Sequence, residues 1–227
     1  MEKVALCELM GPLNDTEKKC APDFVFVEGD RSLMVDGPRV AIIGSRKASK
    51  EGLANAEKLA RELVKKGIVI VSGLAEGIDT VAHKTAIAKG GKTIAVLGTP
   101  LDKCYPAGNR ELQEEIVKNH LAISQFAPTS SIQEKNFVIR NRTMALISHA
   151  SVVVEAAENS GTRYQAWEAI RLARPLFILD SVANNLELKW PKEVIKYGAV
   201  VISVKDVKAL LDVLPTSGGL VNIDVAF

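Results

Sequence analysis

Two short turns within residues 40–83 carry residue types that could bind an anion. The first turn consists of Gly44, Ser45 and Arg46, and the second contains Ser72, Gly73 and Gly77. Glycine lets the backbone approach a ligand closely, and the N-terminus of a helix after each turn favours a negative charge. Two such turns in tandem predict a phosphate cradle with Arg46 at its edge. The structural alternative is that the glycines only permit tight turns.

A second group, in residues 135–142, combines cations with an aromatic ring. Its members are Lys135, Phe137, Arg140, Asn141 and Arg142, which the pattern places at the start of a helix. Arginines can grip phosphate oxygens and an aromatic ring can stack a base, so the group predicts contact with a nucleic acid. The alternative places Phe137 in the core and makes one arginine a bridge to Glu155 or Asp79.

A third group surrounds the end of a predicted strand at residues 151–155. Glu155 ends that strand, and Glu158, Ser160, Gly161 and Thr162 lie between it and the next helix. Carboxylates beside a small-residue turn can bind a ribose hydroxyl, orient an arginine or act on a glycosidic bond. A nucleophile elbow of the Gly-x-Ser-x-Gly type is not present in this segment.

The only histidine with an acidic neighbour one helical turn away is His83, which follows Asp79 by four residues. The two side chains share one helix face. We expect Asp79 to cap the helix and His83 to bond to a neighbouring loop. Because His120 and His149 are distant in sequence, we predict neither a metal site nor a cofactor.

The elements that must position these groups alternate between apolar strands and amphipathic helices. Strands are predicted at residues 24–27, 40–43, 68–71, 93–97, 121–124, 151–155, 176–179 and 199–202. The alternation predicts an α/β fold, with a doubly wound, mostly parallel sheet of about seven strands in a Rossmann-like three-layer α/β/α arrangement. Because parallel strands share one carboxyl edge, the two turns, Gln125 and Glu155 should meet there.

The composition indicates a globular protein with no strong bias towards a charged partner. The chain has 227 residues, of which 47% are hydrophobic and 25% charged, and its net charge is +2. Any basic surface must therefore be local. The three scattered cysteines favour a reducing cytoplasm over a zinc site. The first residues lack the apolar core of a signal peptide, and no apolar run is long enough for a bilayer, so no membrane partner is expected.

The chain divides into three predicted parts. Residues 1–38 are expected to form an N-terminal extension that packs on the core, and residues 39–214 the Rossmann-like domain. Residues 215–227 are expected to form a linker and an apolar tail. The tail, residues 220–227, alternates enough to add a strand to a sheet edge of its own chain or of a partner.

Several motifs, in one order, resemble those of the DNA-processing protein A (DprA/Smf) family. They are FVFVEGD, VAIIGSRKASKEG, IVIVSGLAEGIDTVAH, GKTIAVLGTPLDKCYP, FVIRNR and VVVEAAENSG, and with the strand after Arg174 they span residues 24 to about 201. The resemblance implies a Rossmann-like core that binds single-stranded DNA, forms a homodimer through its last strands and helices, and loads the RecA recombinase during natural transformation. It also implies no enzyme activity.

The resemblance further implies roles for individual residues. Gly44, Ser45 and Arg46 would form part of the DNA pocket, Ser72, Gly73 and the turn at Gly77 its floor, and Phe137, Arg140 and Arg142 the family's Phe-Pro-x-Arg-Asn-Arg segment. Val138 replaces the proline, Gln125 stands where glutamate is usual, and residues 160–166 differ from the family pattern. A nucleotide-derivative sensor or a phosphoribohydrolase-like enzyme that uses the same cradle is the alternative function.

Overall fold

The structure, a computed structural model, describes residues 1–215. Its strands are β1 (Glu2–Ala5), β2 (Phe24–Gly29), β3 (Arg39–Gly44), β4 (Val69–Ser72), β5 (Thr93–Leu97), β6 (Leu121–Ser124), β7 (Ala150–Glu155), β8 (Leu176–Leu179) and β9 (Val200–Ile202). Its helices are α1 (Leu6–Met10), α2 (Asp15–Cys20), α3 (Lys50–Val64), α4 (Ile78–Ala88), α5 (Arg110–Asn119), α6 (Glu134–Ile147), α7 (Gly161–Arg171), α8 (Asp180–Ala183), α9 (Trp190–Lys196) and α10 (Lys208–Asp212).

All the described strands form one sheet in the order β1-β2-β6-β5-β4-β3-β7-β8-β9. From β6 to β9 the neighbours are parallel, whereas β2 pairs antiparallel with β6 and β1 with β2. The chain runs outward from β3 to β6 and then returns to the other side of β3 with β7. The strand order therefore reverses between β3 and β7, which confirms the predicted doubly wound α/β sheet.

Apolar side chains cover both faces of the sheet. In β3, Val40 and Ile42 pack with α3 and α4 on one face, while Ala41 and Ile43 pack with α6 and α7 on the other. Burial on both faces explains why the parallel strands appear in the sequence as uninterrupted apolar runs. The three layers agree with the prediction.

After the first turn the sequence predicts a helix, with Ser49 as its N-cap and apolar residues at a 3.6-residue spacing, and α3 forms there. The Ser49 hydroxyl accepts a hydrogen bond from the Gly52 N–H at 2.9 Å and caps the helix. The apolar stripe is buried, and it includes Ala56, Leu59, Ala60 and Leu63. After the helix, Gly67 adopts a φ of +71°, a left-handed conformation that glycine takes without strain.

Other element boundaries differ from the prediction. Helix α6 begins at Glu134, so the basic segment lies inside the helix and not at its start. Gly77, and not Asp79, is the N-cap residue of α4. The short elements β1, α1, α2, α8 and α9 were missed, because four to seven residues show too little periodicity to predict.

The predictions for the two ends of the chain have different outcomes. Strands β1 and β2 extend the sheet beyond β6, while the division of the chain at residue 38 stays a prediction. The predicted tail strand, at residues 220–227, lies outside the described residues. Within residues 1–215, no helix combines the length and the apolar character needed to cross a membrane.

Candidate functional site

The loops after β3, β4, β5 and β7 meet the N-terminal half of α6 at the carboxyl edge of the sheet. Gly44 at the end of β3 pairs in register with Glu155 at the end of β7. This is the point where the strand order reverses, which is the usual ligand position in an open α/β sheet. The structure thus brings together the three groups of residues that the sequence singles out.

Glu155 occupies the turn after β3. Its carboxylate accepts hydrogen bonds from the Ser49 N–H at 2.9 Å and from the Ser49 hydroxyl at 2.5 Å. A Cβ atom at position 52 would overlap this carboxylate, so Gly52 leaves the space for it. The N-terminus of α3, where an anion was expected, is therefore already neutralised by a side chain of the protein.

Asp79 fills the turn after β4 in the same way. Its Oδ2 accepts hydrogen bonds from the Gly73 N–H at 3.1 Å and the Ala75 N–H at 3.3 Å. Burial raises the pKa of Asp79, while the nearby Arg140 guanidinium and these hydrogen bonds act to lower it. The prediction of a cradle of free N–H groups is wrong for this turn, because an internal carboxylate occupies it. Gly77, at a φ of +75°, packs the turn against the Ser45 carbonyl.

Arg140 is buried beneath the loops. Only 4% of the residue is exposed, and its guanidinium donates to the Gly73 carbonyl and, at 2.7 Å, to the Val96 carbonyl. A Cβ atom at position 73 would overlap the guanidinium, so Gly73 must be glycine here. Burial lowers the pKa of Arg140, and Asp79 opposes this effect. Arg140 is thus a structural bridge, as the alternative held, but to backbone carbonyls instead of Glu155 or Asp79.

Phe137, Arg46 and Tyr105 form a cluster on the surface of this edge. Phe137 lies one helical turn before Arg140 on α6 and is half-buried. The Arg46 guanidinium lies over its ring at 5.2 Å from the centroid, which is within cation–π range. The Tyr105 ring lies 5.3 Å from the Phe137 centroid at an interplanar angle of 45°. We refer to these three side chains as the Arg46–Phe137–Tyr105 cluster.

Sequence reasoning missed two residues of this arrangement. Tyr105 follows β5 and is 48% exposed. Gly98 directly follows β5, and a Cβ atom there would lie 2.5 Å from Cδ1 of Phe137, so the glycine lets the ring pack on the backbone. Both residues follow a strand at the carboxyl edge, which is the same signal that singled out the other loops.

The remaining predicted residues tie α6 to α7 or lie at the surface. Arg142 donates to both oxygens of Glu168, at 2.9 and 3.4 Å, and this contact raises the pKa of Arg142. Asn141 donates to the Gly161 carbonyl at 3.3 Å. Thr162 is buried, Ser160 is the N-cap residue of α7 without a side-chain cap bond, and Lys135 is exposed on the first turn of α6.

The order of the strands defines a Rossmann-like α/β protein, and the cation–aromatic cluster at the carboxyl edge is its candidate ligand site. The chain belongs to the DNA recombination-mediator protein A family, whose sequence profile matches residues 11–214.

Two relatives illustrate the similarity and its extent. The chain is 40% identical over 170 residues to the DNA processing protein DprA of Streptococcus pneumoniae, covering 73% of this chain and 60% of that protein. It is 32% identical over 187 residues to the DNA processing protein DprA of Bacillus subtilis, and the match covers 82% of this chain and 63% of that protein. The chain therefore spans about three fifths of the length of these relatives.

Solved structures support the same assignment. DNA processing protein A from Streptococcus pneumoniae superimposes with a TM-score of 0.78 at 34% identity, covering 92% of this chain and 73% of that one. DNA processing protein A from Helicobacter pylori superimposes with a TM-score of 0.78 at 29% identity, covering 95% of this chain and 96% of that one. That protein is described as having a unique single-stranded DNA binding mode. A molybdenum cofactor binding protein from Rippkaea orientalis shares the fold alone. Its identity is 16% and its TM-score 0.57, and the match covers 78% of this chain and 96% of that one.

Proposed function

We propose that this protein binds single-stranded DNA at the carboxyl edge of its sheet. The observation that carries the proposal is the Arg46–Phe137–Tyr105 cluster, a cation and two aromatic rings brought to one surface from three separate segments. Cations beside stacking surfaces suit a strand whose bases are unpaired. The Helicobacter pylori protein, whose fold this chain shares, is described as binding such DNA.

The structure supports separate roles for the site residues. Arg46 and Lys135 are exposed cations that can contact phosphates. Several other predicted residues are buried or hydrogen-bonded within the protein and position the loops, namely Ser72, Gly73, Arg140, Asn141, Arg142, Glu155 and Thr162. Gly44, Ser45, Gly77, Ser160 and Gly161 stay predicted contacts of the DNA. Because phosphates and base faces are common to every sequence, binding should show little sequence preference.

Fluorescence anisotropy with oligothymidine across a salt series tests the proposal. Arg46→Ala should weaken binding and reduce the salt slope by about one unit, since one phosphate contact is lost. Lys118→Ala is the matched control, because Lys118 lies in the last turn of α5, at the opposite end of the sheet. Failure of the parent protein to bind oligothymidine at low salt would remove the proposal.

The alternative is a sensor or hydrolase of a free nucleotide. It would use the cavity of about 290 Å³ beside Glu155, which is also lined by Ser49, Glu51, Asn55, Ser181 and Asn185. Two observations disfavour it: among the described residues no Lys or Arg lines this cavity, and Ser49 already binds the Glu155 carboxylate. Glu158 is also engaged, because it accepts a hydrogen bond from the Lys189 N–H at 2.7 Å.

Incubation with nucleoside monophosphates, followed by a search for released base, separates the two functions. We expect no release, in keeping with a binding protein that is not an enzyme. Base release by the parent protein that is abolished in Glu155→Gln would favour the hydrolase.

The cellular role rests on the family. We propose that the protein acts in DNA uptake and recombination, with RecA as a partner that the resemblance implies. A homodimer is also proposed. Exposed apolar side chains around the edge strand β9 support it, among them Tyr197, Val200 and Val201. A cytoplasmic location stays a prediction.

A further inference from the structure

The Phe137 ring is already in contact with several other groups of the protein. Arg46 lies over its ring, its edge packs on Gly98, and Tyr105 flanks it. The ring is half-buried, so its largest contacts are with the protein itself. A base could not stack on the ring face that Arg46 covers unless that guanidinium first moved away.

Tyr105 is the aromatic side chain of the cluster that is available to a ligand. It is 48% exposed and stands on the loop after β5, with one side of its ring towards Phe137. Exposure of a large aromatic ring to water is unfavourable unless a partner covers it, and a nucleic-acid base is a flat partner of matching size. Arg46 and Tyr105 both flank Phe137, so a phosphate bound by Arg46 and a base stacked on Tyr105 can belong to one strand.

We infer that Tyr105 is the residue on which a DNA base stacks, and that Phe137 is a positioning residue that holds Arg46 and Tyr105 in place. This inference rests on the proposed function and assigns the base contact within it. Arg46, which lies over the ring of Phe137, then supplies the contact to a phosphate. The hydroxyl group is not needed for stacking, so Tyr105→Phe should behave as the parent protein does.

A comparison of oligothymidine with a fully abasic strand of equal length isolates the base contact. The parent protein should prefer oligothymidine, and Tyr105→Ala should reduce this preference by roughly 5- to 150-fold, the loss expected for one stacked base. Tyr105→Ala should leave the affinity for the abasic strand and the salt slope unchanged. Tyr105→Phe should keep the preference. Tyr164→Ala, which removes a 61% exposed tyrosine from α7, should also keep it and is the control.

Phe137→Ala should give a different pattern, because loss of the ring releases both Arg46 and Tyr105. Its affinity should fall for both strands, with a smaller salt slope. If Tyr105→Ala keeps the full preference for oligothymidine while Phe137→Ala loses it, the inference is overturned and binding of single-stranded DNA stays intact. Equal binding of both strands by the parent protein would also overturn it. Binding to neither strand would remove the proposed function itself.

Discussion

Arg46 and Arg140 carry the same charge but have opposite surroundings. Arg46 is exposed above Phe137, whereas Arg140 is buried and donates to carbonyls at the ends of β4 and β5. An exposed arginine contributes little to stability and is free to bind, while a buried one is part of the fold. The two residues should therefore respond differently to the same substitution.

Arg140→Ala should lower the free energy of unfolding by about 3–5 kcal/mol, because it leaves two buried carbonyls without a donor and removes a positive charge near the buried Asp79 carboxylate. Urea denaturation measures this loss. The matched variant Arg46→Ala should change stability by less than about 0.5 kcal/mol. A fully stable Arg140→Ala protein would contradict the structural role.

His83 should make the fold sensitive to acid. Its Nδ1 contacts the Thr93 hydroxyl at 2.7 Å, its Nε2 is buried without a described partner, and burial lowers the pKa of His83 to about 3. The unfolded chain has the ordinary pKa near 6.5, so between these values only the unfolded chain takes up the proton. Stability is therefore full above about pH 6.5 and is lost as the pH falls towards 3.

His83→Asn tests this because it keeps a donor towards Thr93 but cannot titrate. The loss of unfolding free energy between neutral pH and about pH 4.5 should be smaller in the variant by about 1–3 kcal/mol. His149 and Asp79 also titrate with shifted pKa values: burial and Arg39 lower the pKa of His149 to about 3, and burial raises that of Asp79. Their contributions are the same in the variant and the parent protein, so the comparison cancels them. An unchanged pH dependence would contradict the prediction.

At the scale of elements, α6 is placed on the sheet by contacts with the ends of β4 and β5. Arg140 donates to carbonyls of these strand ends, and one turn earlier Phe137 packs on Gly98. The buried arginine and the glycine together position the aromatic ring. The proposed DNA site therefore depends on how α6 packs on the sheet.

Gly98→Ala should move Phe137, since the new Cβ atom would lie 2.5 Å from its Cδ1. Displacement of the ring should weaken oligothymidine binding several-fold, measured by anisotropy, with a smaller effect on the urea midpoint. Gly108→Ala, in the loop that carries Tyr105, is the matched control because nothing lies within 4 Å of its Cβ position. Equal binding by the two variants would show that the packing on Gly98 does not matter for binding.

At the scale of the whole molecule, the exposed edge of the sheet bears on self-association. Among the described strands β9 pairs with β8 alone, and its Val200 and Val201 are about two-fifths exposed. An apolar edge strand is prone to pair with another chain unless it is covered. This surface fits the homodimer that we propose.

Light scattering should give about twice the chain mass of 24.5 kDa at micromolar concentration. Val201→Lys should lower the measured mass, because a charge at the edge opposes pairing. A dimer carries two DNA sites, so long oligonucleotides should bind more tightly than short ones. A parent mass near that of one chain at high concentration would refute the dimer.

The sequence by itself determined the α/β class, the helix α3 with its Ser49 cap, and the edge at which the loops meet. These features depend on local periodicity and on the rule that parallel strands share a carboxyl edge. Residues near in sequence carry that information, so a single chain is enough to predict them. Short elements such as α9 lacked the periodicity and were missed.

Only the tertiary structure decided which site residues are free to bind. Arg140 bonds to a carbonyl 67 residues away, and Glu155 to Ser49 106 residues away. Burial and hydrogen bonding between such distant segments depend on how the helices pack on the sheet, which no local pattern contains. For that reason Arg46 and Arg140 look alike in the sequence, while the fold buries one and leaves the other beside Phe137 and Tyr105 at the surface.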